Sequence, residues 1–119
     1  MSEGRPWPTD VNLNKGEQLL EIAFDDGAQF HLPAEYLRVE SPSAEVQGHG
    51  GDEKKIVPGK EHVRIDALES VGNYALRLIF DDGHDSGLYT WDYLYELGAN
   101  QNEKWQTYLA ELAKRGLNR

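Results

Sequence analysis

The chain has no cysteine. That absence excludes disulfides, thiol nucleophiles, iron–sulfur ligation by this chain and cysteine zinc sites. It also suits a reducing compartment, because small exported domains commonly rely on disulfides. Long apolar runs are missing too, and no stretch approaches membrane-spanning length. The N-terminus, Met1-Ser2-Glu3-Gly4-Arg5-Pro6-Trp7, lacks the basic-then-apolar layout of a secretory leader. Together these features predict a cytoplasmic protein. Basic residues are scarce: 12 Lys and Arg stand against 21 Asp and Glu, for a net charge of −9. Such a surface repels phosphate backbones and anionic bilayers, which argues against nucleic acid and membrane as partners.

Catalytic signatures are also lacking. No Gly-x-Ser-x-Gly, P-loop or dinucleotide fingerprint appears. There is no His-x-x-x-His, no His-Glu-x-x-His, and no His-x-Asp to begin an iron facial triad. Ser41, Ser43 and Ser70 have no visible base partner, and the many carboxylates show no spacing that singles out a pair. The expectation is a binding or accessory module, with an unrecognised enzyme ranked last.

What is present fits one α+β domain of 119 residues. Residues 1–16 are polar, contain Pro6, Pro8 and Gly16, and read as a flexible extended arm. The domain proper then runs over 17–116. Gln18 to Phe24 alternates as a strand, Asp25-Asp26-Gly27 is a turn, and Gln29 to Leu32 returns. Pro33 suits the first position of a short helix through Leu37. Residues 40–60, rich in glycine and charge, read as a long mobile surface loop. Val63 to Val71 and Tyr74 to Phe80 are strands, with Val63, Ile65, Ala67 and Glu69 on one face. Asp81-Asp82-Gly83 is the next turn, and His84 to Tyr89 its return. Thr90 caps a helix through Leu97 that Gly98 stops. Asn100-Gln101-Asn102 links it to a last helix, on which Trp105, Tyr108, Leu109 and Leu112 form one apolar stripe.

Two segments match. Leu20 to Gly27 aligns with Leu76 to Gly83, Leu32 with Leu88 and, after a one-residue shift, Tyr36-Leu37 with Tyr93-Leu94. Either one hairpin-plus-helix unit was duplicated or two related sequences solve the same packing problem. A three-residue Asp-Asp-Gly loop pairs Ile22 with Phe30 and Leu20 with Leu32, apolar against apolar, and puts glycine where φ must be positive. In the second copy this register sets Leu76 opposite Leu88 and His84 opposite Phe80. The fold class expected is thus a small antiparallel sheet from two related strand–Asp-Asp-Gly–strand–helix units, with a C-terminal helix. The first copy has Ala28 where the second has His84, so the aspartates are turn chemistry while His84 is a candidate functional residue.

Two stretches, Leu37-Arg38-Val39-Glu40-Ser41-Pro42-Ser43-Ala44-Glu45-Val46-Gln47-Gly48-His49 and Val71 through Leu94, closely resemble the gamma-butyrobetaine hydroxylase-like N-terminal domain family. The likeness covers roughly residues 7 to 115, nearly the whole chain. It implies a small α+β domain on antiparallel strands. In the hydroxylases such a domain precedes a 2-oxoglutarate- and iron-dependent catalytic domain, and a similar one is attached to some P-loop iron–sulfur carriers. The chain ends before an oxygenase domain would begin, so that activity is not expected to carry over. The resemblance also implies a structural zinc held by three cysteines after a Leu-Arg pair and a histidine after the second hairpin turn. Ser41, Ser43 and Val46 stand at the cysteine positions and only His84 matches, so the chain is expected to fold without metal. The expected contact surface comprises Arg38, Ser41, Ser43, Glu45 and His49 beside His84 and Trp91. Its partner would be an unknown protein, linked by this analogy to iron or iron–sulfur chemistry. The alternative is an iron or zinc site using His84 with His49 or nearby carboxylates.

Overall fold

The computed structural model describes residues 5–47 and 54–119, the side chains of residues 44 and 45 excepted. The antiparallel strands form two three-stranded sheets rather than one. β1 (Pro8–Asn14), β2 (Leu19–Phe24) and β3 (Gln29–Pro33) make the first, followed by α1 (Ala34–Val39) and a four-residue α2 (Ala44–Gln47). β4 (Ile65–Val71), β5 (Ala75–Phe80) and β6 (Leu88–Thr90) make the second, followed by α3 (Trp91–Ala99) and α4 (Gln101–Lys114). Among the described residues no helix is long and apolar enough to cross a membrane.

The core lies between the sheets and the helices. Leu20, Ile22 and Phe24 from β2, Leu76, Leu78 and Phe80 from β5, and Leu37, Leu94 and Leu97 from the helices are all buried. Alternation on β2 and β5 puts these side chains on one face of each central strand. A smaller cluster joins Val39 to Tyr108 and Leu112 of α4, with Ile56 and Val57 packed against it.

Several expectations change. Within the supposed arm, Pro8–Asn14 is part of the fold, pairing along the whole of β2. Its pattern is weak because the strand is held through its backbone while most of its side chains face solvent. In the first part of the supposed loop, Glu40, Ser41, Ser43 and Val46 are buried. β4 bulges between Ile65 and Ala67. The bulge turns Leu68, not Ala67, toward the core. Pro33 sits at the N-cap of α1 rather than inside it. Gly98 lies within α3, and only Asn100 separates α3 from α4. The C-terminal stripe is as read, with Tyr108 and Leu112 buried and Trp105 and Leu109 packed beside them.

The first hairpin has the register of a three-residue loop, Ile22 opposite Phe30 and Leu20 opposite Leu32. The second departs from it. Its turn closes in the same way, Phe80 N–H donating to the His84 carbonyl at 3.1 Å as Phe24 N–H does to Ala28 at 2.9 Å. Beyond His84 one extra residue enters, and Leu76 lies opposite Tyr89 rather than Leu88. Tyr89 is fully buried, as Leu32 is, whereas Leu88 is 40% exposed. The structural match of Leu32 is therefore Tyr89, and the one-residue shift begins before the second helix, in the segment after His84.

Candidate functional site

The two Asp-Asp-Gly turns do more than reverse the chain. In each, the glycine has φ +90°, open to glycine and strained for other residues. The first aspartate ties down the residue ahead of its sheet: Trp7 N–H donates to Asp25 Oδ1 at 3.1 Å, and Arg64 N–H to Asp81 Oδ1 at 3.0 Å. The second aspartate accepts from the amide two residues on, Ala28 at 2.9 Å and His84 at 3.0 Å. Its other oxygen faces the helix of the opposite unit. Asp26 Oδ2 accepts from the Tyr95 hydroxyl of α3 at 2.6 Å, and Asp82 Oδ2 from Arg38 Nε of α1 at 2.8 Å.

The helices are exchanged in the same way. Tyr36 donates to the Leu97 carbonyl, and its matched residue Tyr93 donates to the Glu40 carbonyl. Burial pushes the hydroxyls of Tyr36, Tyr89 and Tyr93 well above the ordinary range, so all three remain protonated donors.

Against this matched frame one place differs. In the first unit Phe24, Phe30 and Tyr95 pack edge to face, with ring centroids 5.0 to 6.0 Å apart. In the second unit Phe80 remains, but Gly87 stands for Phe30, Arg38 for Tyr95 and His84 for Ala28. The imidazole of His84, 6% exposed, lies 6.1 Å from the Phe80 ring. Its Nε2 is hydrogen-bonded to the fully buried Ser41 Oγ at 2.8 Å. Ser41 Oγ also accepts from the Ser43 amide at 3.2 Å, and Ser43 Oγ meets Ser86 Oγ at 2.9 Å. Gln47 Nε2 donates to the Ser41 carbonyl at 2.8 Å. A polar network thus replaces an aromatic cluster and fastens the 41–47 turn to the segment after His84.

Arg38 and Lys60 both reach Asp82 Oδ2, at 2.8 and 2.7 Å. Arg38 Nη1 is buried without a hydrogen-bond partner among the described residues. Burial by itself raises the Asp82 carboxyl, but Lys60, the His84 amide and Arg38 together outweigh it and hold the group down at about 2. A carboxylate depressed below its unfolded value, about 4, stabilises the fold at neutral pH and loses that contribution as pH falls through the interval from about 4 to about 2. Asp82→Asn is therefore expected to lower stability at pH 7 by about 1–2 kcal/mol. The gap to wild type should narrow by pH 2. Urea midpoints at pH 7, 4 and 2.5 check this, and a constant gap across the three would refute it.

Of the residues predicted from sequence, Arg38, Ser41, Ser43 and His84 come together here. Trp91 does not. It begins α3 at the other end of β6, and its indole N–H donates to the Asn73 carbonyl of the far turn at 2.8 Å. Glu45 lies in α2, but its side chain and the whole of His49 fall outside the described residues. Sequence reading missed Asp82, taken as turn chemistry only, and Lys60. The Ala28/His84 contrast was the one local signal pointing here.

A structural zinc does not fit these residues. Two hydroxyls replace thiolates, and Val46 offers no donor. Ser41 Oγ and His84 Nε2 are 2.8 Å apart, whereas two ligands of one tetrahedral zinc stand about 3.3 Å or more apart. Among the described residues no three His, Cys, Asp or Glu side chains gather as a metal site would need.

Comparison with known proteins agrees with this architecture. Two proteins with NMR solution structures are similar to the chain. One is 49% identical with TM-score 0.85, covering 98% of this chain and 91% of that one. The other is 48% identical with TM-score 0.83, covering 100% and 89%. A crystal structure of a protein of unknown function in the DUF971 family, from Acidithiobacillus ferrooxidans ATCC 23270, is 38% identical with TM-score 0.65 over 77% of this chain and 92% of that one. No curated protein matches the sequence. The family model for the gamma-butyrobetaine hydroxylase-like N-terminal domain matches residues 11–95, which include both sheets except the first three residues of β1, and the whole Ser41–His84 network, and the chain belongs to that family.

Proposed function

We propose that the chain is a non-catalytic protein-interaction module whose contact surface is the 41–47 turn together with the exposed segment Asp85–Ser86 beside it. The observation that supports this reading is the exchange of an aromatic cluster for a buried polar network at one of two matched places. The aromatic solution already exists in the same chain, and a buried polar network is costly unless every member is satisfied. What the second arrangement adds is a 41–47 turn fastened in place beside the exposed segment Asp85–Ser86. Arg38 Nη1, buried without a hydrogen-bond partner among the described residues, fits a site kept for more than packing, since such groups concentrate where function needs them. Ser41 is too deeply buried to meet a substrate, which favours binding over nucleophilic chemistry. Kinship with domains attached to oxygenases and iron–sulfur carriers makes a protein of iron or iron–sulfur chemistry the partner to seek, and the cytoplasm the place.

Quantitative cross-linking and affinity capture with the purified chain test the reading. The variant Ser86→Lys alters exposed surface, and Lys114→Glu serves as a remote control at the end of α4. A specific partner should be retained by wild type and the control, and should fall at least about tenfold with Ser86→Lys, the scale of a central interface contact. Equal capture by all three would sink the assignment of the surface.

A further inference from the structure

A second site lies apart from the Ser41–His84 network. We infer that the cleft between α1 and α4 recognises an alkylguanidinium group, and that Arg119 occupies it in cis. With Arg119 in place the cleft still holds about 600 Å³ of open space, which Arg119 itself lines together with Glu35, Tyr36 and Trp105, within the range of small-ligand sites. At its base is Glu35, in the first turn of α1 and only 7% exposed. Both of its carboxylate oxygens are engaged by Arg119, through Nη2 at 2.8 Å and Nε at 3.1 Å. This is the two-point fork that distinguishes a guanidinium from an ammonium ion.

The remaining walls complete a cation box. Arg119 Cζ lies 5.5 Å from the centroid of the Trp105 ring, over its face. Trp105 is itself held by Tyr36, edge-on at 6.2 Å, and by Tyr108 at 5.2 Å. Glu61 stands 3.7 Å from Arg119 Nη1 on the open side.

The matched position in the second unit shows that the repeated helix does not impose this burial. There Asp92 pairs with Arg5, and both side chains are more than half exposed. Glu35, by contrast, is screened from water with Arg119 in place, and a buried carboxylate is costly unless a cation pairs with it. Arg119 supplies one from a segment following Gly116, whose φ is +67°, and its own side chain remains 45% exposed. Glu35 lies buried beneath the Arg119 side chain, which is itself partly solvated. That is the arrangement of a site filled by a displaceable tethered group, which acts as a competitor at an effective concentration on the order of millimolar.

The test uses the full chain with Arg119→Ala, titrated with Nα-acetyl-L-argininamide and with free L-arginine, reading the Trp105 indole resonance by NMR. Saturable binding to Arg119→Ala is expected, at least tenfold weaker in wild type. It should weaken at least tenfold again on adding Glu35→Gln, and butylammonium should bind at least tenfold more weakly than either guanidinium compound. Equal binding of the two arginine compounds assigns the site to an arginine side chain of a partner, and tighter binding of free arginine assigns it to a small molecule. No saturable shift with either compound would overturn the inference and leave Arg119 a strut. Should Arg119→Ala fold poorly, wild type decides the question at high ligand concentration: displacement of the Arg119 Hε resonance supports the site, and its failure to move overturns it.

Discussion

Exchanging His84 for alanine is expected to lower the stability of the domain by about 2–4 kcal/mol. Two effects add. The imidazole is nearly enclosed and packs on Phe80, so its removal leaves a cavity. It also removes the partner at 2.8 Å from a serine hydroxyl that has no access to water. Ser41→Ala should cost less, about 1–2 kcal/mol, because the hydroxyl is small and its loss leaves the histidine side chain in place. The double variant should cost less than the sum of the singles, since each single change already breaks the shared bond. Urea unfolding of the three variants measures all of this. If His84→Ala fell within about 0.5 kcal/mol of wild type, as substitutions on an open surface do, the network would not be holding the turn.

How much of this was legible in sequence depended on the range of the interaction. The first hairpin could be read because apolar alternation and a glycine at a positive-φ position are local signals. The last helix could be read because its stripe repeats at helical spacing. β1 could not, because a strand held mainly by its backbone leaves little pattern in its side chains. The Leu32–Leu88 match failed for a different reason. It rested on shared identity, while packing selects whichever residue reaches the buried face, and the extra residue after His84 put Tyr89 there. His84 stood out because the first copy supplied Ala28 as a control. Its link to Ser41 spans 43 positions, and the Arg38–Asp82 bond 44. No local rule connects residues so far apart. Glu35 passed unnoticed because a charged residue on a six-residue helix looks solvent-facing until the C-terminal segment is seen to cover it.

Gly98 is where a local rule pointed the wrong way, and it carries the second large prediction. A glycine near the end of a helical stretch reads as a stop, yet α3 continues through it to Ala99. Its role is to admit Phe30: a Cβ at position 98 would stand 2.3 Å from Phe30 Cγ and 2.5 Å from the two adjacent ring carbons. The second unit has the inverse arrangement at the matched positions. There the glycine is on the strand side, as Gly87, and a Cβ on it would stand 2.5 Å from Ser41 Oγ. Each of the two matched contacts between the units therefore needs one residue without a side chain, and both glycines belong to the second unit. At one contact the space goes to the Phe30 ring, at the other to the Ser41 hydroxyl that binds His84. Gly98→Ala should consequently destabilise the domain by about 1–3 kcal/mol through overpacking, although alanine in an unobstructed helix would stabilise it by about 1 kcal/mol. In a Phe30→Ala background the obstruction is gone, and the same substitution should become neutral or stabilising. A double-mutant cycle by thermal or urea unfolding tests the reversal of sign. Stabilisation by Gly98→Ala in the presence of Phe30 would show that the ring yields freely, and that the close approach does not hold the two units in register.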